Sequence, residues 1–401
     1  MSWKECDQVS LRREFVKMAA LEGANISALC RQFEISRKTG YKWLERYQLE
    51  GESGLLDRSR RPQRVRERTS AEMETRVLAV RDRHPAWGGR KIRARLLALG
   101  VRSVPAASTI TTILHRHGRI AARASAQRVP YGRFERSVPN ELWQIDFKGE
   151  FKMSNGRYCY PLTLLDDHSR YAIGLFACGN QRRGTVQDHL TTLFRRYGLP
   201  EAIFSDNGPP WGSMNSPTRH TRLTAWLMRL DVQVIHGTPY YPQGRGKEER
   251  FHRTLKAELL QDRRFDNLSH TQGRFDPWRE MYNQERPHEA LGLDVPASRY
   301  RSSSREYPEQ LPSFEYSERF ETRRVNGVGQ FSFRGCHYKA SEAFRAERLG
   351  LSPTGDRGVW DVYYCHFRIG QLDEATGGGP LRRVRSPTAA KPVAGLDKKG
   401  V

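Results

Sequence analysis

The run Trp143-Gln144-Ile145-Asp146-Phe147-Lys148 decides how the rest of the chain is read. Trp143, Ile145 and Phe147 alternate with Gln144, Asp146 and Lys148, the period-two pattern of a strand with one buried face. Aspartate is depleted in strands, so Asp146 asks for a reason beyond structure. Residues 158–165 and 171–177 read as two further strands, joined by Asp166-Asp167-His168-Ser169-Arg170. Val186, Leu190, Leu193, Phe194 and Tyr197 then recur at helical spacing, with Gly198 as the stop and Pro200 beyond it. Residues 201–205 form a short strand that delivers Asp206 at its end. Leu223, Trp226, Leu227 and Leu230 mark a helix, residues 232–235 a strand, and Phe251, Leu255 and Leu259 a last helix. The order β-β-β-α-β-α-β-α predicts a mixed sheet flanked by helices, an α/β core.

Working outward, 401 residues are too many for one ordinary domain and predict two to four. Sixty-eight Lys and Arg against 45 Asp and Glu leave a formal charge of +23. With a pI near 10.1, that excess calls for a polyanionic partner, nucleic acid before an anionic membrane. The six cysteines are scattered without a Cys-x-x-Cys pair, which argues against a disulfide framework or structural zinc and fits a reducing cytoplasm. No apolar run approaches the roughly 20 residues that span a bilayer, and residues 1–10 are too polar for a signal peptide. A soluble cytoplasmic protein associated with DNA is the expectation, with no membrane partner.

Upstream of the core, residues 1–56 read as a helix-turn-helix domain. Leu11, Phe15, Met18 and Ala19 mark one helix closed by Gly23, Asn25 caps a second, and Ser36 caps a third carrying Tyr41, Leu44 and Tyr47. The third is the expected reader, offering Arg37, Lys38, Thr39 and Lys42 to a major groove. Residues 57–70 form a basic linker whose Arg58, Arg60 and Arg61 can lie along a phosphate backbone. Residues 71–118 read as a second helix-turn-helix-like domain, with Arg90, Lys91, Arg93 and Arg95 crowding its middle helix. Residues 119–140 are a second, arginine-rich linker. Downstream, the core and a connector run over 141–300, and short strands over 314–370 predict a small β-barrel-like domain. Residues 377–401, rich in Gly, Pro, Lys and Arg, predict a basic disordered tail. The fold class is thus multidomain: all-α tandem helix-turn-helix, α/β core, small β-barrel-like domain.

A strand aspartate, a second aspartate at the end of a neighbouring strand, and a helical glutamate can converge at one end of a sheet. Carboxylate oxygens suit hard divalent cations. Two such ions roughly 3.5–4 Å apart activate the attacking oxygen and stabilise the leaving oxygen of a phosphodiester. On this reading Asp146 bridges two Mg2+ ions, with Mn2+ able to substitute, and Asp206 and Glu249 hold one each. Each acid alone is ordinary: Asp206-Asn207-Gly208 makes a common turn, and Glu249 sits on a charged helix end. The ensemble, inside so basic a chain, points to DNA cleavage and joining.

The core resembles that of retroviral-type integrases and bacterial insertion-sequence transposases, a ribonuclease H-like fold. Matching segments are residues 143–146, Asp166-Asp167-His168-Ser169-Arg170, Ser205-Asp206-Asn207-Gly208, Gly246-Lys247-Glu248-Glu249-Arg250-Phe251, and Tyr282-Asn283-Gln284-Glu285-Arg286-Pro287-His288. The resemblance covers roughly residues 10–300. It implies a DDE transposase with Asp146, Asp206 and Glu249 as the catalytic triad. Further implications are double-stranded DNA partners (element ends and target), a basic residue at Lys256 that contacts the DNA end, and at least a dimer on DNA. Two features depart from the family. The 42 residues between Asp206 and Glu249 (207–248) exceed the usual spacing, the extra material falling in a polar loop at 209–221. The position before the glutamate, often apolar in the family, is Glu248, which shares a helical stripe with Phe251 and Leu255 while Glu249 lies about 100° away. Glu249 is taken as the ligand, and Glu248 takes its place if the helix starts a turn earlier. Asp166 and Asp167 are read as structural acids of a hairpin turn, and His236 and His252 as flanking groups. Two rival functions stay open: a metal-dependent nuclease without strand transfer, and a DNA-binding regulator with an inactive core.

Overall fold

The computed structural model describes residues 8–58, 68–120, 135–237, 246–261 and 263–383. Arg60 and Arg61 lie outside these. The described chain divides into two compact units, residues 1–68 and 69–401.

In the first unit, α1 (Gln8–Ala19), α2 (Ile26–Gln32) and α3 (Arg37–Glu50) follow the expected order. Asn25 and Ser36 cap α2 and α3 by accepting the backbone N–H groups of Ala28 and Thr39. Glu34, in the turn between α2 and α3, takes the left-handed conformation (φ 53°) that a tight turn requires. The inward face of α3 differs from the expected one: Trp43 and Gly40 are buried while Tyr41 is exposed. Trp43 carries Arg12, Lys42 and Arg46 over its ring, and Gly40 is required because a Cβ there would meet Cys30 Sγ at 2.6 Å. Arg37, Lys38 and Lys42 are exposed. The Thr39 hydroxyl is engaged with Ser36 at 2.8 Å, which makes Thr39 part of the cap.

The second unit begins with α4 (Ala71–Arg83), α5 (Gly89–Ala98) and α6 (Ala107–Arg116), packed around Val77, Trp87, Ile92, Leu96, Ile110 and Leu114. These are the three helices expected of a second helix-turn-helix-like domain, and they belong to the same compact unit as the core sheet. Arg95 of α5 donates to Glu285 at 2.6 Å, Arg83 lies 3.6 Å from the same carboxylate, and Met281 packs on the helical cluster. Part of the basic crowd on α5 is therefore spent on the core.

The core sheet comprises β1 (Trp143–Phe147), the short β2 (Phe151–Lys152), β3 (Tyr158–Asp166), β4 (Ala172–Cys178), β5 (Ala202–Ser205) and β6 (Gln233–His236). β3 runs antiparallel to β1, β2 and β4, whereas β5 is parallel to both β1 and β6. This is the expected mixed sheet, with β2 added. Helices α7 (Arg183–Tyr197) and α8 (Arg222–Arg229) bury one face against Trp143, Ile145, Leu162 and Leu164. α9 (Gly246–Leu255) and α10 (Leu268–Gln284) cover the other through Phe251, Leu255, Phe275 and Tyr282 against Leu165, Ala172 and Leu175. α10 runs through Pro277, which sits inside the helix.

The C-terminal strands form two small sheets, four-stranded and three-stranded. They share one apolar core that includes Phe331, Phe333, Tyr338, Leu351, Trp360 and Val362. That core also takes Ala225 and Met228 of α8, so this domain too is joined to the unit of the six-stranded sheet. Its last strand, Gly379–Pro380, pairs with residues 338–339. The domain thus extends past residue 370 and claims the start of the expected tail.

Candidate metal centre

Parallel pairing of β1 with β5 sets Trp143 against Ile203 and Gln144 against Phe204. Carried two residues further, that register brings Asp146 abreast of Asp206, both emerging where the parallel strands end. In open α/β sheets this carboxyl edge is where ligands bind. Asp146 lies on β1 opposite Thr163 of β3 and accepts the Phe147 N–H at 2.9 Å. Asp206 accepts the Gly208 N–H at 3.1 Å, and His236 Nδ1 lies 3.0 Å from its carbonyl. Burial comes first among the forces that lower the pKa of His236, against the pull of Asp206.

α9 brings the third element. Ligand atoms of Asp146, Glu248 and His252 lie within 4.8 Å of one another. Glu248 and His252 are four residues apart, hence on one helical face. The glutamate that stands against Asp146 in this structure is Glu248, which is 3% exposed, and not the expected Glu249. Glu249 is exposed and outside the group, because Phe251 and Leu255 anchor the helix with the Glu248 stripe turned inward.

Beneath this group, Thr163 Oγ1 lies 3.0 Å from the Asp146 carbonyl, 2.8 Å from His252 Nε2 and 3.4 Å from Glu248 Oε1. A hydroxyl has one proton to give. Donation to the carbonyl leaves His252 to donate through Nε2–H and keeps a lone pair on Nδ1. Burial, and then the charge of Lys148, push His252 down to about 3, so it is neutral. Lys148, just past the end of β1, is itself lowered by burial and then by the charge of Lys256. Lys256 is exposed, and the regular helix ends one residue before it in a π turn, Lys256–Leu260.

The loop at 209–221 is a packed wall. Trp211 is buried against the core, 6.3 Å from the ring of Phe147, and Thr221 caps α8. His220, at its end, is pushed down to about 3 by burial and then by His236.

Asp166 and Asp167 are both fully buried. Asp166 accepts from Ser169 N, Ser169 Oγ and Asn140 N at 2.7, 2.5 and 2.8 Å, closing the hairpin turn. Burial nevertheless raises its pKa. Asp167 instead reaches across elements, to Gln144 Nε2 at 2.7 Å and to Lys247 Nζ at 2.5 Å. Burial pulls Lys247 down to about 8, against the pull of Asp167.

Of the remaining basic positions, Arg58 is exposed and paired with Glu50. Arg90 lies 3.9 Å from Glu289 at the edge of an open cavity of about 480 Å³ between α5 and α6. Lys91 is pushed down to about 8 by burial and then by Arg286, with Glu258, Glu289 and Arg250 also nearby.

Two carboxylates and a neutral imidazole, those of Asp146, Glu248 and His252, form a donor group at the sheet edge that suits a divalent cation, and Asp206 lies at the end of the neighbouring strand outside that group. Together with the mixed sheet they define an integrase-type core. Family profiles agree: residues 136–242 and 230–296 each match an integrase core domain. Residues 11–63 match a helix-turn-helix domain, 39–114 a homeodomain-like domain, and 320–378 the C-terminal domain of IS481 family transposases. Among relatives, the uncharacterized 31.7 kDa protein of insertion element IS407 from Burkholderia multivorans is 29% identical over 160 residues, 40% of this chain and 55% of that protein. The uncharacterized 39.2 kDa protein of insertion element IS476 from Xanthomonas euvesicatoria is 27% identical over 183 residues, 45% of this chain and 50% of that protein. The chain spans about half the length of these two relatives. The simian T-cell lymphotropic virus intasome, solved with PP2A regulatory subunit B56 gamma, overlaps 78% of this chain and 99% of its own at 16% identity and a TM-score of 0.36. The chain thus carries an integrase core domain and is similar to proteins of bacterial insertion elements.

Proposed function

We propose that this chain binds the two ends of a mobile DNA element, cleaves a phosphodiester bond at each, and joins the freed 3′-hydroxyls to target DNA. The observation that carries the reading is the β1–β5 register, which carried forward sets Asp146 abreast of Asp206, together with Glu248 of α9 grouped against Asp146. In cleavage, a water oxygen attacks phosphorus and the 3′ oxygen leaves as a hydroxyl. In joining, that hydroxyl attacks a target phosphodiester and displaces another 3′ oxygen. Divalent ions, magnesium first, supply charge neutralisation at the attacking and leaving oxygens.

Asp146, Asp206 and Glu249 are the proposed ligands. Magnesium keeps several waters and must leave room for phosphate oxygens, which favours the exposed Glu249 over the buried Glu248. Glu248 supports a second reading, in which it is the third ligand, because it alone already stands within ligand distance of Asp146. Lys148 and Lys256 supply positive charge for the DNA backbone, and Arg37, Lys38 and Lys42 of α3 read the element end. At least two copies act together, since two ends must be paired, and the protein works in the cytoplasm on bacterial DNA.

A pre-cleaved end duplex, incubated with magnesium and a target plasmid, yields strand-transfer product from the parent chain. D206N yields none while retaining end binding. Cleavage without any joined product would favour a nuclease, and undiminished product from D206N would remove Asp206 from the centre.

A further inference from the structure

Asp167 does not belong to the ligand group around Asp146, and its burial is complete. A buried carboxylate is costly unless every oxygen is partnered. Here the partners come from three separate parts of the chain. Gln144 of β1 donates its amide to Oδ1 at 2.7 Å. Lys247 of α9 approaches Oδ2 at 2.5 Å and the Asp167 carbonyl at 3.3 Å. The Arg136 N–H, on the segment entering the core, reaches Oδ2 at 2.9 Å. The Asp167 backbone is pinned as well, its N–H donating to the Leu142 carbonyl at 3.0 Å.

The placement of the first two partners matters most. Gln144 lies two residues before Asp146 on one strand, so their side chains leave the same face. Lys247 immediately precedes Glu248 and Glu249. One carboxylate therefore ties the strand that carries the first acid to the helical turn that carries the third. The tie is stiff because the ammonium is 14% exposed and the carboxylate not at all; losing either charge strands the other in a poorly solvated site.

We infer that Asp167 is a positioning residue for the metal centre: through Gln144 and Lys247 it sets β1 and the first turn of α9 at the separation the metal ligands need. The inference rests on the reading of Asp146 and the α9 glutamates as metal ligands. It assigns Asp167 a role that its neighbour Asp166, bonded to Ser169 and to the Asn140 N–H but to no residue of α9 in these bonds, does not share.

The test compares the parent chain with D167N, K247M and the double variant. D167N keeps the shape of the side chain and removes its charge. Three quantities are measured: the Mg2+ concentration at the midpoint of metal-induced thermal stabilisation without DNA, the cleavage rate, and amide exchange of residues 246–250 in EDTA. Outer-shell partners of metal ligands typically govern affinity by 10–100-fold, and a misplacement of about 1 Å costs rate by roughly 10²-fold. D167N and K247M are each expected to raise the Mg2+ midpoint at least tenfold, slow cleavage about a hundredfold and speed exchange in the first turn of α9. The double variant resembles either single one, because one interaction is lost in all three. A D167N protein that melts lower but keeps the parental Mg2+ midpoint and exchange pattern overturns the inference and leaves Asp167 a plain stabilising group. Should the parent itself give no Mg2+ response, the metal reading fails. The exchange measurement then decides alone: faster exchange at 246–250 sustains the tie between β1 and α9, and unchanged exchange overturns it.

Discussion

Replacing Glu248 by glutamine probes the electrostatics of the centre directly. The ligand atoms of Asp146 and Glu248 lie within 4.8 Å. With both carboxylates ionised, repulsion at that distance is about 3.5 kcal/mol for an effective dielectric constant of ~20. Glu248 is 3% exposed, so water screens little, and desolvation of its charge acts in the same direction. Glutamine keeps the shape and removes both costs. In EDTA, E248Q should therefore melt above the parent, by about 5 °C for a cooperative unit of roughly 300 residues. Magnesium should narrow the gap, because a divalent cation relieves the repulsion only in the parent. E249Q, exposed, should melt in EDTA within about 0.5 kcal/mol of the parent yet lose cleavage. Scanning fluorimetry of the three proteins across a Mg2+ titration, beside cleavage of an end duplex, checks each point. An E248Q protein that melts at or below the parent in EDTA refutes the close carboxylate pair. Loss of cleavage in E248Q with retention in E249Q transfers the ligand role to Glu248.

Two further outcomes are expected. Arg286 and Glu258 pair at 2.9 Å with 9% and 8% side-chain exposure, just beyond α9; E258Q should cost about 3–5 kcal/mol in denaturant unfolding, and a loss below about 1 kcal/mol would show the pair to be dispensable. His84, stacked on Trp87 at 3.9 Å, is pushed down to about 4, by burial first and the charge of Arg83 second. Its folded pKa lies below the ordinary 6.5, so its contribution to stability is fully present above pH 6.5 and is lost as the pH falls towards 4. H84Q should flatten the parental decline in melting temperature over that window, and parallel pH profiles would exclude His84 as its source.

Much of the site was legible because its signals are local. Asp146 stands out on an alternating strand, Asn25 and Ser36 announce helix starts, and Gly198 a helix end, since a cap or a period-two face is decided by residues a few positions apart. The helical wheel likewise put Glu248 on the stripe of Phe251 and Leu255, where the structure has it. Misses arose where distant segments compete. Tyr41 fits a helical stripe as well as Trp43 does; only packing against Phe15, Cys30 and Leu55 selects Trp43. The arginines of α5 suit a DNA reader by composition, yet Arg95 is taken by Glu285, 190 positions away.

By itself, then, the sequence determined the order of the main strands and helices, the unusual place of Asp146 on an alternating strand and the basic character of the chain, because periodicity, capping and charge are properties of neighbouring residues. Tertiary structure alone decided which glutamate of α9 turns against Asp146, that α4–α6 and the C-terminal sheets are built onto the core, and that Asp167 reaches Gln144 and Lys247. Each of those depends on which groups, remote along the chain, share a buried space in which an unpartnered charge is too costly to leave.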